Sequence, residues 1–277
     1  MKLITPTGMP DYIEAQLRYD DGRHGDGTLS ATQIMKPIRV IVLVERHGAD
    51  IEYPLENFVE SKLGEAWHTA VTTAVKERYP DRFIVEREFS HTFDVDGVKV
   101  EVKGTPDLIR LPTVDEPQCQ LIDLKSTKTY GVQKGDARDK WATQLSIYRV
   151  LLAMQPKPYY CDDYGEVTAL FKDWSESWAE RSKDYPQANE VTYSDIPLMP
   201  VEMGHEYIVG RLRAILRGRE TQDDELPMCT PEEMWFNAKK GQFNHCRKWC
   251  AAREFCGQYR RVLTGGLTMD YNGQWRS

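Results

Sequence analysis

The chain has 277 residues, 40% of them apolar, and a formal net charge of -7 at pH 7. That length and composition exclude a disordered chain and a small stapled scaffold, and they suffice for one large domain or two small ones. The negative balance gives no general attraction to nucleic acid, so a nucleic-acid partner would have to be met by local positive charge.

Residues 1–29 read as a polar arm, with DDGRHGDG at 20–27 as a loop. MKLITPTGMP shows no apolar signal region, and the longest apolar run, IRVIVLV at 38–44, falls far below the roughly 20 residues a membrane span needs. The expectation is a cytoplasmic protein with no membrane partner. LSATQI begins the organised chain, with Ser30 and Thr32 as candidate helix caps. IRVIVLVE suggests a strand, although a buried helix also fits so short a run. Leu55, Phe58, Val59, Leu63, Trp67, Val71 and Val75 then recur at helical spacing over 55–78, closed by Tyr79 and Pro80.

RFIVEREF, HTFDVDGVKVEVKG, TPDLIRL and CQLIDLKST read as short strand segments of one meander, with Asp96 and Gly97 as a hairpin turn. From about residue 140 the period returns to helical, through Trp141, Leu145, Tyr148 and Leu152, and stops near Pro156 and Pro158. VTALFKDW is a further strand, 175–200 a polar connection, and 201–219 a helix. The order predicts a mixed α/β domain at 30–220 followed by a cysteine-bearing segment at 221–277.

QLIDLKST at 120–127 alternates like a buried strand yet places Asp123 and Lys125 on one face. GTPDLI lies upstream, where Gly104 and Pro106 mark a bend and Asp107 starts a strand. If segments 107–111 and 120–125 pair as a hairpin, the two aspartates converge, and a hard divalent cation relieves their repulsion. A lysine on the same face can then orient or deprotonate an attacking water, or neutralise charge on a phosphoryl transition state. Alone, the Asp-x-Lys triplet is as readily a surface ion pair. Gln144 and Tyr148 follow, four apart on one helix face.

LGEAWH ahead of the strands, GTPDLI and IDLKST within them, and QLSIY behind them together resemble the PD-(D/E)XK nuclease superfamily, and within it the RecB-like exonuclease branch. The resemblance covers about residues 29–171. It implies a restriction-endonuclease-like core, a mixed central β-sheet flanked by helices, and hydrolysis of DNA phosphodiesters with Mg²⁺ or Mn²⁺. By the same resemblance Asp107, Asp123, the Leu124 carbonyl and His68 hold the metal, Lys125 is the catalytic lysine, and Gln144 and Tyr148 organise the site and contact nucleic acid. Glu86 or Glu88 would supply an outer acid. The competing reading is a nucleic-acid-binding or assembly module that keeps the fold without catalysis. The sequence has no GxxxxGK[ST] pattern, so a helicase motor or recombination protein would be a separate partner; the short layout also resembles nucleases carried by phages, working in an infected bacterial cell.

HCRKWCAAREFC places Cys246, Cys250 and Cys256 within eleven residues, and Cys229 precedes them. In a reducing compartment, clustered cysteines suggest metal before disulfides. Relatives of the AddB and exonuclease V types are similar here, and that resemblance implies a [4Fe-4S] cluster; four thiolates suit structural zinc equally, and His245 is an alternative zinc ligand. The chain departs from those relatives in having no cysteine before Cys119, so Cys229 is taken as the fourth ligand. Cys119 and Cys161 are read as ordinary buried cysteines. Residues 239–261 also carry Lys239, Lys240, Arg247, Lys248, Arg253, Arg260 and Arg261 against Glu254 alone, interleaved with Trp249, Phe255 and Tyr259. Arg247, Lys248, Arg253 and Trp249 are the candidate DNA contacts, with basic groups on phosphate and an aromatic on unpaired bases.

Overall fold

The computed structural model describes residues 2–18, 28–133, 135–237, 241–269 and 275–276. The loop expected at 20–27, and Lys239 and Lys240, lie outside them. In chain order the principal elements are α1 (Asp11–Arg18), α2 (Ile38–His47), α3 (Val59–Arg78), β1 (Phe83–Val85), β2 (Phe89–Val95), β3 (Val98–Gly104), β4 (Leu108–Arg110), β5 (Gln120–Thr127), α4 (Asp136–Ala153), β6 (Tyr164–Phe171), β7 (Glu190–Pro197) and α5 (Val201–Glu220). The chain divides into two compact units, one of residues 22–32 and 59–210 and the other of residues 1–21, 33–58 and 211–277.

The first unit is mixed α/β. Its five-stranded sheet has the order β7-β6-β5-β4-β1, in which β5 and β6 are parallel and the other neighbours antiparallel. A three-stranded sheet holds β2 and β3 with the short strand Leu29–Ser30. The single meander expected from sequence is therefore two hairpins in two sheets. The division falls at Gly104-Thr105-Pro106, where a proline without an N–H cannot continue the ladder. The β2–β3 hairpin turns at Asp96 and Gly97 as expected, both at positive φ.

Helix α4 follows the predicted stripe and packs on strands of both sheets. Trp141, Leu145, Ile147, Tyr148, Val150, Leu151 and Leu152 are all buried along it. Each such apolar side chain stabilises the unit by roughly 1.5–3 kcal/mol. Residues 175–200, expected to be a connection, contribute β7, whose exposed polar positions conceal the alternation of an edge strand.

In the second unit the apolar run at 38–44 forms helix α2, not the strand suggested by its composition. Ile38, Arg39, Ile41, Val42 and Leu43 are buried whereas Glu45 and Arg46 are exposed, so the polar side of the helix begins only after the seven-residue apolar run, which by itself is too short to reveal its period. Residues 2–18 are not featureless: Lys2–Ile4 pairs in parallel with Glu52–Pro54, and α1 follows. Among the described residues no helix is long and apolar enough to cross a membrane.

Candidate active site

The β4–β5 ladder builds the site. Leu108 pairs with Ile122, Ile109 with Leu121 and Arg110 with Gln120, so the antiparallel register carries Asp107 to the level of Asp123. The Leu124 N–H donates to Asp107 Oδ2 at 2.6 Å and fixes that carboxylate against the next strand. Asp123 and Lys125 share a face as alternation requires, with Lys125 Nζ 2.6 Å from Asp123 Oδ2. That contact is close but poorly directed, and Oδ2 is a buried oxygen with no properly angled hydrogen bond.

Helix α4 supplies the opposite wall. Gln144 accepts from Lys125 Nζ at 3.0 Å through Oε1, and its Nε2 donates to the Tyr148 hydroxyl at 2.8 Å and reaches Asp123 Oδ1 at 3.4 Å. The amide thus ties the lysine, the aspartate and the tyrosine into one network. Tyr148 lies on Gly104: a Cβ there would meet the ring at 2.7 Å, so only glycine admits it. Burial, and then the Asp123 charge, hold the Tyr148 hydroxyl far above its ordinary value, keeping it neutral.

Helix α3 supplies His68, whose Nδ1 is 3.6 Å from Asp107 Oδ1. A close approach at Gly64, one turn earlier, sets the height of this helix: a Cβ there would meet Ser126 Cβ at 3.2 Å. Glu86 sits at positive φ and its N–H donates to the Asp107 carbonyl at 3.0 Å, whereas Glu88 is exposed and pairs with Lys103. Of the two candidate outer acids, only Glu86 borders the site through its backbone.

Burial dominates the electrostatics of Asp123. Desolvation raises its carboxyl to about 6; the Lys125 ammonium opposes this, and the Asp107 charge adds to it. A buried, repelled carboxylate with one oxygen lacking a directed donor suits a divalent cation. Asp107, Asp123 and His68 lie together here, yet among the described residues no three His, Cys, Asp or Glu side chains converge closely enough to grip one ion.

The four cysteines Cys229, Cys246, Cys250 and Cys256 line a single cavity in the other unit, with Arg39, Met234 and His245. Burial raises the Cys229 thiol, and the neighbouring Glu233 and three cysteines add to the shift. Burial, with Cys250 and Cys256 beside it, pushes the Cys246 thiol up to about 12. The His245 ring nitrogen Nδ1 lies 2.8 Å from the Glu233 carbonyl. Two residues not singled out by sequence organise this cavity. Arg39, buried in α2, donates to the carbonyls of Asp223, Pro227 and Leu226, and Gln258 holds the Cys229 N–H and carbonyl in a two-bond clasp. The lone arginine inside the apolar run IRVIVLV was the available signal for the first; nothing marked the second.

The candidate DNA contacts separate. Arg247, Lys248 and Trp249 are exposed, while Arg253 is half-buried and donates to the Arg247 carbonyl. Phe255 stacks on His47 and Tyr259 lines the cysteine cavity, so Trp249 alone of the three aromatics is free to stack on a base.

The model of the PD-(D/E)XK nuclease superfamily matches residues 42–257. The chain belongs to that superfamily. The match spans both the acidic site and the cysteine triplet. No curated protein matches the chain. Among solved structures, the crystal structure of SSO0001 is similar with a TM-score of 0.57 and 14% identity, over 90% of this chain and 93% of that one. At that identity the likeness shows the fold alone.

Proposed function

We propose that this PD-(D/E)XK nuclease is a Mg²⁺- or Mn²⁺-dependent DNA exonuclease of the RecB-like branch. It would act in recombination, repair or phage DNA processing in the cytoplasm of a bacterial or infected cell. The observation that carries the reading is the β4–β5 register, which sets Asp107 beside an Asp123–Lys125 pair that Gln144 already holds. Asp107, Asp123, the Leu124 carbonyl and His68 would hold the cation, which when bound supplies Lewis-acid activation of water and neutralises charge on the scissile phosphate. Lys125 would steer the attacking water and stabilise charge developing on the phosphoryl oxygens. Gln144 keeps the ammonium aimed by accepting from it, and the neutral Tyr148 hydroxyl fixes the amide orientation. Arg247, Lys248, Arg253 and Trp249 would track the DNA strand, and a separate helicase or recombination protein would present its end.

We further propose a structural [4Fe-4S] cluster on Cys229, Cys246, Cys250 and Cys256, since all four thiols line one cavity and all but Cys250 are buried; among the described residues the thiols would have to draw closer to share one metal group. Anaerobically purified protein should be brown and contain iron; a colourless sample with stoichiometric zinc would reject the cluster. For the activity, end-labelled linear and circular DNA, single- and double-stranded, is incubated with Mg²⁺ or Mn²⁺. Linear substrates should be degraded from their ends, and Asp107→Ala and Lys125→Ala should abolish this. Full activity in both variants refutes the assignment, and DNA binding without any cleavage by the parent chain would favour a non-catalytic module.

A further inference from the structure

Cys119 and Cys161 form a pair in the first unit, and neither belongs to the cysteine cavity of the second. Cys119 immediately precedes β5 and Cys161 lies shortly before β6, and the two residues make a parallel β-bridge. Cys119 N–H donates to the Tyr160 carbonyl at 2.9 Å and Asp162 N–H to the Cys119 carbonyl at 3.0 Å, which fixes both backbones. Strands bridged in this way lie about 4.8 Å apart, inside the roughly 4.4–6.8 Å between Cα atoms that a disulfide spans. The two sulfurs are 3.0 Å apart, only about 1 Å beyond a disulfide bond. Backbone and side chains are thus already arranged for a bond, and little beyond the loss of two protons and two electrons is needed to make it.

We propose that Cys119 and Cys161 are a disulfide-forming site that staples β5 to β6 when the protein meets a peroxide. The residues are 42 apart in sequence, and the loop they would close contains Asp123, Lys125, Gln144 and Tyr148. The cross-link would therefore fasten covalently the strand and helix that carry most of the candidate active site, whatever reaction that site performs. The chemistry balances with hydrogen peroxide as oxidant. The Cys119 thiolate attacks one peroxide oxygen, breaking the O–O bond to give the sulfenic acid and hydroxide. That hydroxide takes the Cys161 proton as the first water, and the Cys161 thiolate attacks the Cys119 sulfur and expels the sulfenic oxygen as hydroxide, which the proton earlier released by Cys119 converts to the second water. Two thiols and one peroxide give one disulfide and two waters. Cys119 is the natural first nucleophile. The sulfur–sulfur contact with Cys161, and Arg149 nearby, hold the Cys119 thiol below the ordinary value, whereas the same contact and burial push Cys161 well above it. Both sulfurs are buried, so the oxidant has to be small and to enter through local opening of the chain, which excludes a bulky thiol reagent.

The test treats the folded full-length chain with hydrogen peroxide, alkylates it under denaturing conditions and maps the peptides by mass spectrometry. A Cys119–Cys161 linked peptide, two hydrogens lighter than the separate thiol peptides and lost on reduction, is expected. The oxidised chain should also unfold at a urea concentration higher by roughly 1 M, because a cross-link closing a long loop restricts the unfolded ensemble. Cys119→Ala and Cys161→Ala should each lose the linked peptide and the shift. Recovery of both cysteines as free thiols or as sulfinic acids, or linkage of either to one of the other four cysteines, would overturn the proposal. The peptide map of the parent chain decides this even if a variant folds poorly.

Discussion

Replacing Asp123 by Asn should stabilise the protein at alkaline pH while abolishing its activity. The carboxyl is 2% exposed and burial raises it from 3.8 to about 6. A group whose folded pKa is raised contributes stability that is fully present below its unfolded value and lost as pH rises through the folded one. Ionised Asp123 therefore weakens the fold by about 3 kcal/mol at pH 8, by about half that at pH 5, and by almost nothing below pH 3. Asn cannot ionise and escapes this cost, whose net size already includes the favourable contact of the ionised carboxylate with Lys125, 2.6 Å away. The decisive quantity is thus a difference of differences. The gain of the variant over its parent should be larger at pH 8 than at pH 5 by about 1 kcal/mol. Urea denaturation followed by circular dichroism, with EDTA present, measures it. A gain independent of pH, or one that shrinks as pH rises, would show that burial does not control this carboxyl.

The same shift predicts that apparent Mg²⁺ affinity rises with pH through about 6, since Asp123 must ionise to bind a cation; calorimetric titration at pH 5 to 7 should show it, with protons released on binding. Gly64→Leu should push α3 away from Ser126 and move His68 off Asp107, lowering kcat by about 100-fold and stability by only about 1–3 kcal/mol. A variant that keeps full activity would refute that positioning role. Gln144→Leu removes the acceptor of Lys125 and the donor to Tyr148, and steady-state kinetics should show kcat down roughly 10–100-fold with KM little changed. Arg39→Met leaves the carbonyls of Asp223, Pro227 and Leu226 without their shared donor and should destabilise the cysteine-bearing unit by about 3 kcal/mol. Thermal unfolding, together with faster alkylation of Cys229, would check it.

Local order was legible in the sequence because local order is what periodicity encodes. Alternation in QLIDLKST already set Asp123 and Lys125 on one face, the four-residue step set Gln144 above Tyr148, and the Asp96-Gly97 turn closed its hairpin; the structure keeps all three. Pattern reading failed where the pattern was short or concealed. The apolar run that opens helix α2 ends before the polar side of the helix begins, so it carried no period, and β7 hid among polar residues at a sheet edge. Amino-acid types and spacing determined which groups the chain brings to its chemistry: two aspartates, a lysine and an amide on one side, four thiols on the other. Tertiary structure alone decided how those groups meet. Ladder register sets Asp107 level with Asp123, the missing Cβ of Gly64 sets how near α3 comes, and exclusion of water lifts the Asp123 carboxyl. It also put Cys119 against Cys161 across a β-bridge between segments far apart in sequence. Such meetings depend on which distant strands become neighbours and how much solvent they exclude, and neither is a property of any local stretch of the chain.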